Sequence, residues 1–435
     1  MKYIQAEYSS SLNGTVHIPG AKNSSLALLA AACLADDVVT LEGIPRIDDV
    51  RIIAGISRDI GMELTQEGSR VIIDPRSIHS AVIDPAKASS YRASYYFAGA
   101  LLSKFGKVMI GFPGGDDFIS RPIDQHIKVF QALGAQVQIC HDYYVVEAAE
   151  LRGADIYFDT LTCGATINAM LAAVRAKGRT QLHNAAVDPE VVDMATFLNR
   201  LGARIYGAGT ERIRIEGVPY LNGGKHTVIP DRLIAGAFLM AAGLNGGQVT
   251  VMDVIPEHLG ACLAKLREVG MHVECGENHI TAHGTGLLKA TRIRAGMYPG
   301  FATDLQQPMT ALLLQAKGKS IVTDRVFPKR FAHVPQLRRL GAEIELRKES
   351  AFIRGGVPLQ GGWVHATDVR AGTCLLLAGL TAAGKTCITG VEHIERGYED
   401  IVSSFRSLGA KISMRKLDEA SEVSAAASVT SGELS

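Results

Sequence analysis

The stretch Leu201-Gly-Ala-Arg-Ile-Tyr-Gly-Ala-Gly-Thr-Glu-Arg-Ile-Arg-Ile215 follows a helical pattern of apolar residues. A glycine just after the last helical residue suits the left-handed backbone that commonly ends a helix. After it, apolar and polar residues alternate around a glycine-containing turn, which is typical of a β-hairpin with one buried face. The stretch therefore predicts an amphipathic helix, a glycine cap and a hairpin, in that order.

The same signature of an apolar residue, a glycine and Ala or Met occurs six times along the chain. Its copies are Ile60-Gly61-Met62, Leu133-Gly134-Ala135, Leu201-Gly202-Ala203, Val269-Gly270-Met271, Leu340-Gly341-Ala342 and Leu408-Gly409-Ala410. Successive glycines are 68 to 73 residues apart. A signature with a nearly constant period indicates one structural unit that is copied along the chain.

Six other segments share this period; each begins with polar or charged residues and continues as a helix of small apolar residues. They start at Lys22, Arg92, Thr162, Asp231, Thr303 and Thr367. A helix that is apolar all round is buried. Each unit should therefore have a buried helix inside and strands outside. Six units exceed the usual size of one core, so the prediction is an α/β fold of two inside-out, barrel-like domains with three pseudo-repeats each.

The domain boundaries are predicted where a proline precedes a buried helix. The first domain is residues 21–229 and carries the loop 111–121, and the second is residues 1–20 plus 230–417. The small polar residues 418–435 bury too little to fold and are predicted to be a disordered tail.

Composition excludes several classes of protein. The net charge of +1 in 435 residues gives no overall field for nucleic acid or anionic membrane. The seven cysteines contain no C-x-x-C pair, which predicts free thiols in a reducing cytoplasm and no zinc site. The first residues lack a signal peptide's apolar core, and apolar runs fall short of the ~20 residues of a membrane span.

The loop Gly111-Phe-Pro-Gly-Gly-Asp-Asp-Phe-Ile-Ser-Arg-Pro-Ile-Asp-Gln-His126 combines glycines with Asp116, Asp117 and Arg121. Alone, it could be a surface turn of mixed charge. Several buried-helix starts, however, carry a cation, namely Lys22, Arg92, Arg232 and Arg370. Because helix N-termini also favour anions, we expect an anion site with this loop as its lid.

Many short motifs, in order over residues 1–415, resemble those of the enolpyruvyl transferases. They are Gly20-Ala-Lys-Asn23, Arg92-Ala-Ser94, Pro113-Gly-Gly115, Arg121-Pro-Ile-Asp124, Gly164-Ala-Thr166, Asn184-Ala-Ala186, Pro230-Asp-Arg232, Thr303-Asp304, Arg330-Phe331, Thr367-Asp-Val-Arg370 and Arg396-Gly-Tyr398. The resemblance implies transfer of the enolpyruvyl group of phosphoenolpyruvate to UDP-N-acetylglucosamine, for peptidoglycan synthesis. It implies no organic cofactor and no metal; the oligomeric state stays open.

The resemblance also implies roles for single residues. Asp304 corresponds to the base for the sugar 3-hydroxyl, with Asp368 near the reacting atoms and Asn23 touching the tetrahedral intermediate. The cations divide between the phosphate side (Lys22, Arg121 and Arg396) and the carboxylate side (Arg330 and Arg370). The implied UDP-N-acetylglucosamine contacts also include Arg92, Arg121, Pro122, Ile123, Asp124, Gln125, Thr162, Cys163, Gly164 and Val326.

The chain departs from the family at Asp116, where most relatives carry a cysteine that acts as general acid and is alkylated by fosfomycin. A free Asp has a pKa of about 3.9. Asp117 and polyanionic substrates would raise this pKa, whereas Arg121 would lower it. We expect Asp116 to be the general acid and the protein to be resistant to fosfomycin.

Other interpretations stay open. One is an enolpyruvyl transferase with another nucleotide acceptor such as UMP, and another is a paralogue that binds UDP-N-acetylglucosamine without catalysis. A shikimate 3-phosphate enzyme ranks below them, because Ala21, Asn23 and Arg92-Ala-Ser-Tyr95 differ from that sibling's motifs.

Overall fold

The computed structural model describes residues 1–114 and 122–416. The predicted tail, residues 418–435, and residues 115–121 of the predicted lid lie outside the described part. The chain divides into two compact units, Pro19–Ile229 and Met1–Ile18 with Pro230 onward. Pro19 and Gly20, which the sequence analysis placed in the other domain, belong to the Pro19–Ile229 unit. The reason is local: the Ala21 amide donates to the Ile229 carbonyl, and Gly20 lies against Gly43.

The described residues form 24 strands. They are β1 Lys2–Glu7, β2 Asn13–His17, β3 Val39–Glu42, β4 Glu63–Glu67, β5 Arg70–Asp74, β6 Val82–Ile83, β7 Lys107–Gly111, β8 Gln136–Ile139, β9 Tyr143–Glu147, β10 Asp155–Tyr157, β11 Arg179–His183, β12 Arg204–Tyr206, β13 Arg212–Glu216, β14 Gly224–Thr227, β15 Gln248–Met252, β16 His272–Cys275, β17 His279–His283, β18 Arg292–Ala295, β19 Gly318–Asp324, β20 Glu343–Arg347, β21 Ser350–Gly355, β22 Trp363–His365, β23 Lys385–Thr389 and β24 Lys411–Lys416.

The described part also contains 14 α-helices. They are α1 Lys22–Ala31, α2 Asp48–Asp59, α3 Pro85–Ser90, α4 Tyr96–Phe105, α5 Asp124–Ala132, α6 Cys163–Ala173, α7 Pro189–Arg200, α8 Arg232–Ala242, α9 Gly260–Glu268, α10 Thr303–Leu313, α11 His333–Arg339, α12 Val369–Gly379, α13 Val391–Glu395 and α14 Ile401–Ser407. Within residues 1–114 and 122–416, no helix is long and apolar enough to cross a membrane.

The described strands form six four-stranded sheets with one shared topology. Their orders are β14–β3–β5–β4, β6–β7–β9–β8 and β10–β11–β13–β12 in the Pro19–Ile229 unit, and β2–β15–β17–β16, β18–β19–β21–β20 and β22–β23–β1–β24 in the other. Each sheet has one parallel pair followed by two antiparallel pairs. The strands β1 and β2 complete two sheets of the second unit, which explains why residues 1–18 belong to it.

Each unit encloses three apolar helices, α1, α4 and α6 in one and α8, α10 and α12 in the other. All eleven residues of α12 are buried, whereas a strand such as β13 alternates between buried and exposed positions. Helices inside and half-exposed sheets outside are the predicted inside-out arrangement. The predicted fold class is therefore confirmed.

The six repeated glycines all have a positive φ, between 89° and 103°. A side chain with a Cβ rarely adopts this backbone conformation, and glycine adopts it freely. In each of the six repeats, the glycine lets the chain leave an outer helix and enter the hairpin. This conformational requirement explains why a glycine stands at the same place in all six copies of the signature.

Gly20→Ala and Gly55→Ala should change stability in opposite directions. A Cβ at Gly20 would lie 2.0 Å from the Gly43 carbonyl oxygen, and overpacking of this kind typically costs about 1–3 kcal/mol. A Cβ at Gly55, inside α2, meets nothing within 4 Å, so alanine should add about 0.5–1 kcal/mol through helix propensity. Thermal unfolding of the two variants tests this pair, and equal shifts in Tm would contradict it.

Candidate active site

Asp304 lies in the first turn of α10 and pairs with two arginines. Its Oδ1 is 2.5 Å from Arg330 Nη1, and its Oδ2 is 3.3 Å from Arg370 Nε. Each arginine is only 5% exposed, but 26% of the Asp304 side chain remains accessible. Two nearby cations favour the ionised carboxylate. The cluster therefore offers an accessible carboxylate that can accept a proton, and two guanidinium groups that can bind an anion.

The two arginines keep their charge despite burial. Burial alone would lower the pKa of Arg330, but Asp304 and Asp368 raise it above its ordinary value. The pKa of Arg370 is raised in the same way, against the effect of burial, by Asp304 and other neighbouring groups. Because a bidentate guanidinium suits carboxylate and phosphate groups, the pair is suited to anionic substrates.

Asp368 holds the start of the helix that carries Arg370. Its Oδ1 accepts hydrogen bonds from the amides of Arg370 at 2.8 Å and Ala371 at 3.1 Å, as an N-cap residue does. Its Oδ2 accepts one from Gln307 Nε2 at 3.4 Å. Arg396 directly follows α13 and is half-buried.

Lys22, in the other unit, is the first residue of α1 and forms an ion pair with Asp49 of α2. Asp49 is fully buried, whereas 15% of the Lys22 side chain is exposed; the neighbouring Asn23 is exposed. Asp49 was not among the residues predicted from the sequence. A usable signal was present, because Asp49 is a charged residue on the face of α2 that buries Val50, Ile53 and Ile56.

Tyr95 connects two of the predicted nucleotide-binding segments. The Arg92 guanidinium lies 5.7 Å from the centre of its ring, and a Cβ at Gly164 would come within 2.6 Å of its hydroxyl oxygen. Arg92 begins a 3₁₀ turn, Arg92–Tyr95, before α4. Thr162 caps α6, accepting a hydrogen bond from the Ala165 amide at 3.4 Å. Cys163 follows as the first residue of α6 and is half-buried.

The predicted acceptor contacts just after the predicted lid differ in how accessible they are. Pro122 and Asp124 are exposed, and Ile123 packs against the core. Gln125 is buried and its amide is used within the chain: its oxygen accepts from the Asp159 amide at 3.0 Å, and its nitrogen donates to Asp124 and Asp159. This bonding indicates that Gln125 holds the segment in place.

Two predicted residues, Asp116 and Arg121, lie outside the described residues. The chain before them is anchored on α3, because the Gly114 amide donates to the Ala88 carbonyl at 3.4 Å. A Cβ at Gly114 would lie 1.5 Å from the Ser89 carbonyl oxygen, so this contact requires glycine.

Val326 is half-buried and follows β19, and its amide donates to Asp324 Oδ1 at 2.9 Å.

Each unit contains one buried, neutral histidine beside a site arginine. Burial, with a smaller effect of Arg92, lowers the pKa of His126 to about 3; burial, with Arg330, lowers that of His333 to about 3. The geometry agrees, because His126 Nδ1 accepts a hydrogen bond from Asn168 Nδ2 at 2.9 Å. Neither histidine had been assigned a role from the sequence.

Because of these two histidines, we expect acid to lower the stability of the folded protein. The unfolded chain takes up a proton on each near pH 6.5, but the folded chain does so only near pH 3. Between these values each should therefore lower the unfolding free energy by about 1.4 kcal/mol for each pH unit of acidification. We expect the free energy of unfolding in urea to change less between pH 7.5 and pH 5.5 for His126→Gln than for the unsubstituted protein. His17→Gln, at an exposed histidine, is the control; a parent-like slope in His126→Gln would contradict the prediction.

The fold and these charged clusters define the class of protein. Residues 6–423 match the family model described as EPSP synthase (3-phosphoshikimate 1-carboxyvinyltransferase). The chain belongs to this family of enolpyruvyl transferases.

Individual relatives give a more specific likeness than the family match does. The chain is 49% identical over 408 residues to UDP-N-acetylglucosamine 1-carboxyvinyltransferase 2 of Geobacillus kaustophilus, covering 94% of this chain and 95% of that protein. It is 48% identical over 413 residues to the Bacillus subtilis protein of the same name, covering 95% and 96%. The solved enolpyruvyl transferase NikO from Streptomyces tendae is 26% identical with a TM-score of 0.86, covering 96% of this chain and 99% of that one.

Proposed function

We propose that this protein transfers the enolpyruvyl group of phosphoenolpyruvate to the 3-hydroxyl of UDP-N-acetylglucosamine and releases phosphate. This reaction is the first committed step of peptidoglycan synthesis. The observation that carries the proposal is the accessible Asp304 carboxylate between the buried Arg330 and Arg370. The named relatives, which match over nearly their whole length, support the choice of acceptor.

The chemistry requires a base, an acid and several cations. Asp304 takes the proton of the sugar hydroxyl, whose oxygen then bonds to C2 of phosphoenolpyruvate while C3 gains a proton. Loss of a proton from C3 and cleavage of the C2–O bond to phosphate then restore the double bond. Asp368 lies near these atoms, and Asn23 contacts the tetrahedral intermediate.

Phosphoenolpyruvate carries about three negative charges, which calls for several cations. Arg330 and Arg370 bind its carboxylate, and Lys22, Arg121 and Arg396 bind its phosphate. Losing one such charge typically costs about 2–5 kcal/mol of binding when the partner is left buried and unpaired.

The acceptor contacts are proposed from the family resemblance. They are Asn23, Arg92, Arg121, Pro122, Ile123, Asp124, Gln125, Thr162, Cys163, Gly164, Asp304 and Val326. The contact of Arg92 with Tyr95 supports a stacked or charged surface for the nucleotide. For Gln125, the bonded amide supports a backbone contact or a positioning role.

Asp116 is proposed as the acid that protonates C3. It must then hold a proton near neutral pH, which the neighbouring Asp117 and bound polyanions favour.

The experiment is turnover of phosphoenolpyruvate with a panel of acceptors, measured as phosphate release and as the mass of the enolpyruvyl ether. We expect the ether of UDP-N-acetylglucosamine. An ether formed only with UMP would support the other nucleotide acceptor, and one formed with shikimate 3-phosphate the sibling activity. Binding of UDP-N-acetylglucosamine without any ether would point to a non-catalytic paralogue.

A further inference from the structure

Asp324, at the end of β19, is a fully buried carboxylate that accepts three hydrogen bonds. Its Oδ2 accepts from Thr303 Oγ1 at 2.6 Å. Its Oδ1 accepts from the amides of Val326 at 2.9 Å and Phe327 at 2.8 Å. A buried carboxylate with these partners joins the start of α10 to the segment after β19.

The hydroxyl of Thr303 links this carboxylate to the proposed catalytic cluster. Because the Thr303 hydroxyl donates its proton to Asp324, an oxygen lone pair is left for another donor. That donor is Arg330 Nη1, at 3.3 Å, which also donates to Asp304 at 2.5 Å. The bonds thus run from Asp324 through Thr303 and Arg330 to Asp304.

We propose that Asp324 is a positioning residue for enolpyruvyl transfer. It sets the direction of the Thr303 hydroxyl, and through it the orientation of Arg330 beside Asp304. The same carboxylate holds Val326, a proposed acceptor contact. This inference rests on the proposed function, and it adds a residue to which the family resemblance assigned no role.

Asp324→Asn is the direct test, because it keeps the shape and one acceptor oxygen for the two amides. Its NH₂ group would face Thr303 and reverse the direction of that hydrogen bond. A shift of about 1 Å in a catalytic group can cost about 100-fold in rate, so we expect kcat to fall about 10- to 100-fold. The KM for UDP-N-acetylglucosamine should change less, because the bonds to the Val326 segment are kept.

Two variants of Thr303 test the same link without touching Asp324. Thr303→Val removes the hydroxyl with little change in volume and should lower kcat as Asp324→Asn does, whereas Thr303→Ser should keep most of it. In the double variant Asp324→Asn/Thr303→Val the losses should not multiply, because they break one connection. These variants also decide the matter if Asp324→Asn fails to fold.

Asp36→Asn is the control for a merely structural role. Asp36 Oδ2 similarly accepts from a side chain, Arg175 Nη2 at 2.5 Å, and from an amide, that of Leu221 at 2.9 Å, in the other unit. It should lower Tm and leave kcat unchanged. A parent-like kcat in folded Asp324→Asn and Thr303→Val would overturn the proposal.

Hydrogen exchange separates this proposal from the proposed function. In the substrate-free protein, Asp324→Asn and Thr303→Val should each speed amide exchange in the first turn of α10, and Thr303→Ser should not. If the parent makes no ether with any acceptor, the proposed function fails, but this exchange pattern still supports the link. Unchanged exchange in that turn would overturn the link, whatever the activity of the parent.

Discussion

Asp304→Asn should reduce enolpyruvyl transfer by about 10²- to 10⁴-fold in kcat, the usual contribution of a positioned general base. The amide keeps the shape of the side chain but cannot take the proton of the sugar hydroxyl. Phosphate release from phosphoenolpyruvate and UDP-N-acetylglucosamine measures the loss. A kcat within tenfold of the parent would show that another group is the base.

The same variant should have a distinct effect on stability. Removing the charge leaves Arg330 and Arg370 buried without their carboxylate, and breaking a buried pair costs about 3–5 kcal/mol. A substrate carboxylate can replace the missing charge. Phosphoenolpyruvate should therefore raise the Tm of Asp304→Asn more than that of the parent.

Asp48→Asn is the matched control, because Asp48 also lies in a first helical turn, that of α2. Its partner is the exposed Arg51, and exposed pairs contribute only about 0–1 kcal/mol. This variant should keep the parent's rate and Tm. A similar loss in both variants would mean that the effect of Asp304→Asn is not specific to the site.

Asp116→Cys should make the protein one that fosfomycin inactivates with time, whereas we expect the unsubstituted protein to resist the antibiotic. A thiolate is a strong nucleophile that opens an epoxide and forms a stable thioether, whereas a carboxylate at the same position is much weaker. The parent should keep full activity during prolonged incubation with fosfomycin. The variant should lose it progressively, and the mass of one fosfomycin should be added only to peptides that contain the substituted position.

Asp117→Cys is the control for general thiol reactivity in this loop. It should remain unmodified, because we expect the reaction to depend on the position that supplies the proton to C3 and not only on the presence of a cysteine. Time-dependent inactivation of the parent at low fosfomycin would contradict the assignment of Asp116, since the antibiotic would then have another target in the site.

Much of the fold could be predicted from the sequence because it is repeated. A single Leu-Gly-Ala triplet carries little information, but six glycines with positive φ report the same helix-to-hairpin turn six times. The apolar helices were equally visible, since segments such as Val369–Gly379 have no polar face to expose. The N-terminal residues were assigned to the second domain from the sequence, but the strands that β1 and β2 pair with, more than 200 residues away, could not be predicted, because this pairing has no local signal.

The candidate site was predictable only in part. Lys22, Arg92, Asp304, Arg330 and Arg370 were assigned to the candidate site because they stand in recognisable motifs. Their partners were not, because a buried ion pair or hydrogen bond joins residues that are distant in the chain. Asp49 and Asp324 are two such partners, and neither stands in a motif.

The sequence by itself determined which residue types are available and the order of buried helix, outer helix, glycine turn and hairpin in each repeat, because these depend on local conformational preference and on apolar periodicity. The tertiary structure decided which side chains form ion pairs and hydrogen bonds with each other. Asp304 illustrates the division: its place in the first turn of α10 follows from local sequence, but its two guanidinium partners come from segments 26 and 66 residues away. Packing of α10 against α12 brings Arg370 to Asp304, and Arg330 reaches it from the segment before α11. Burial of both arginines makes the electrostatic interaction strong.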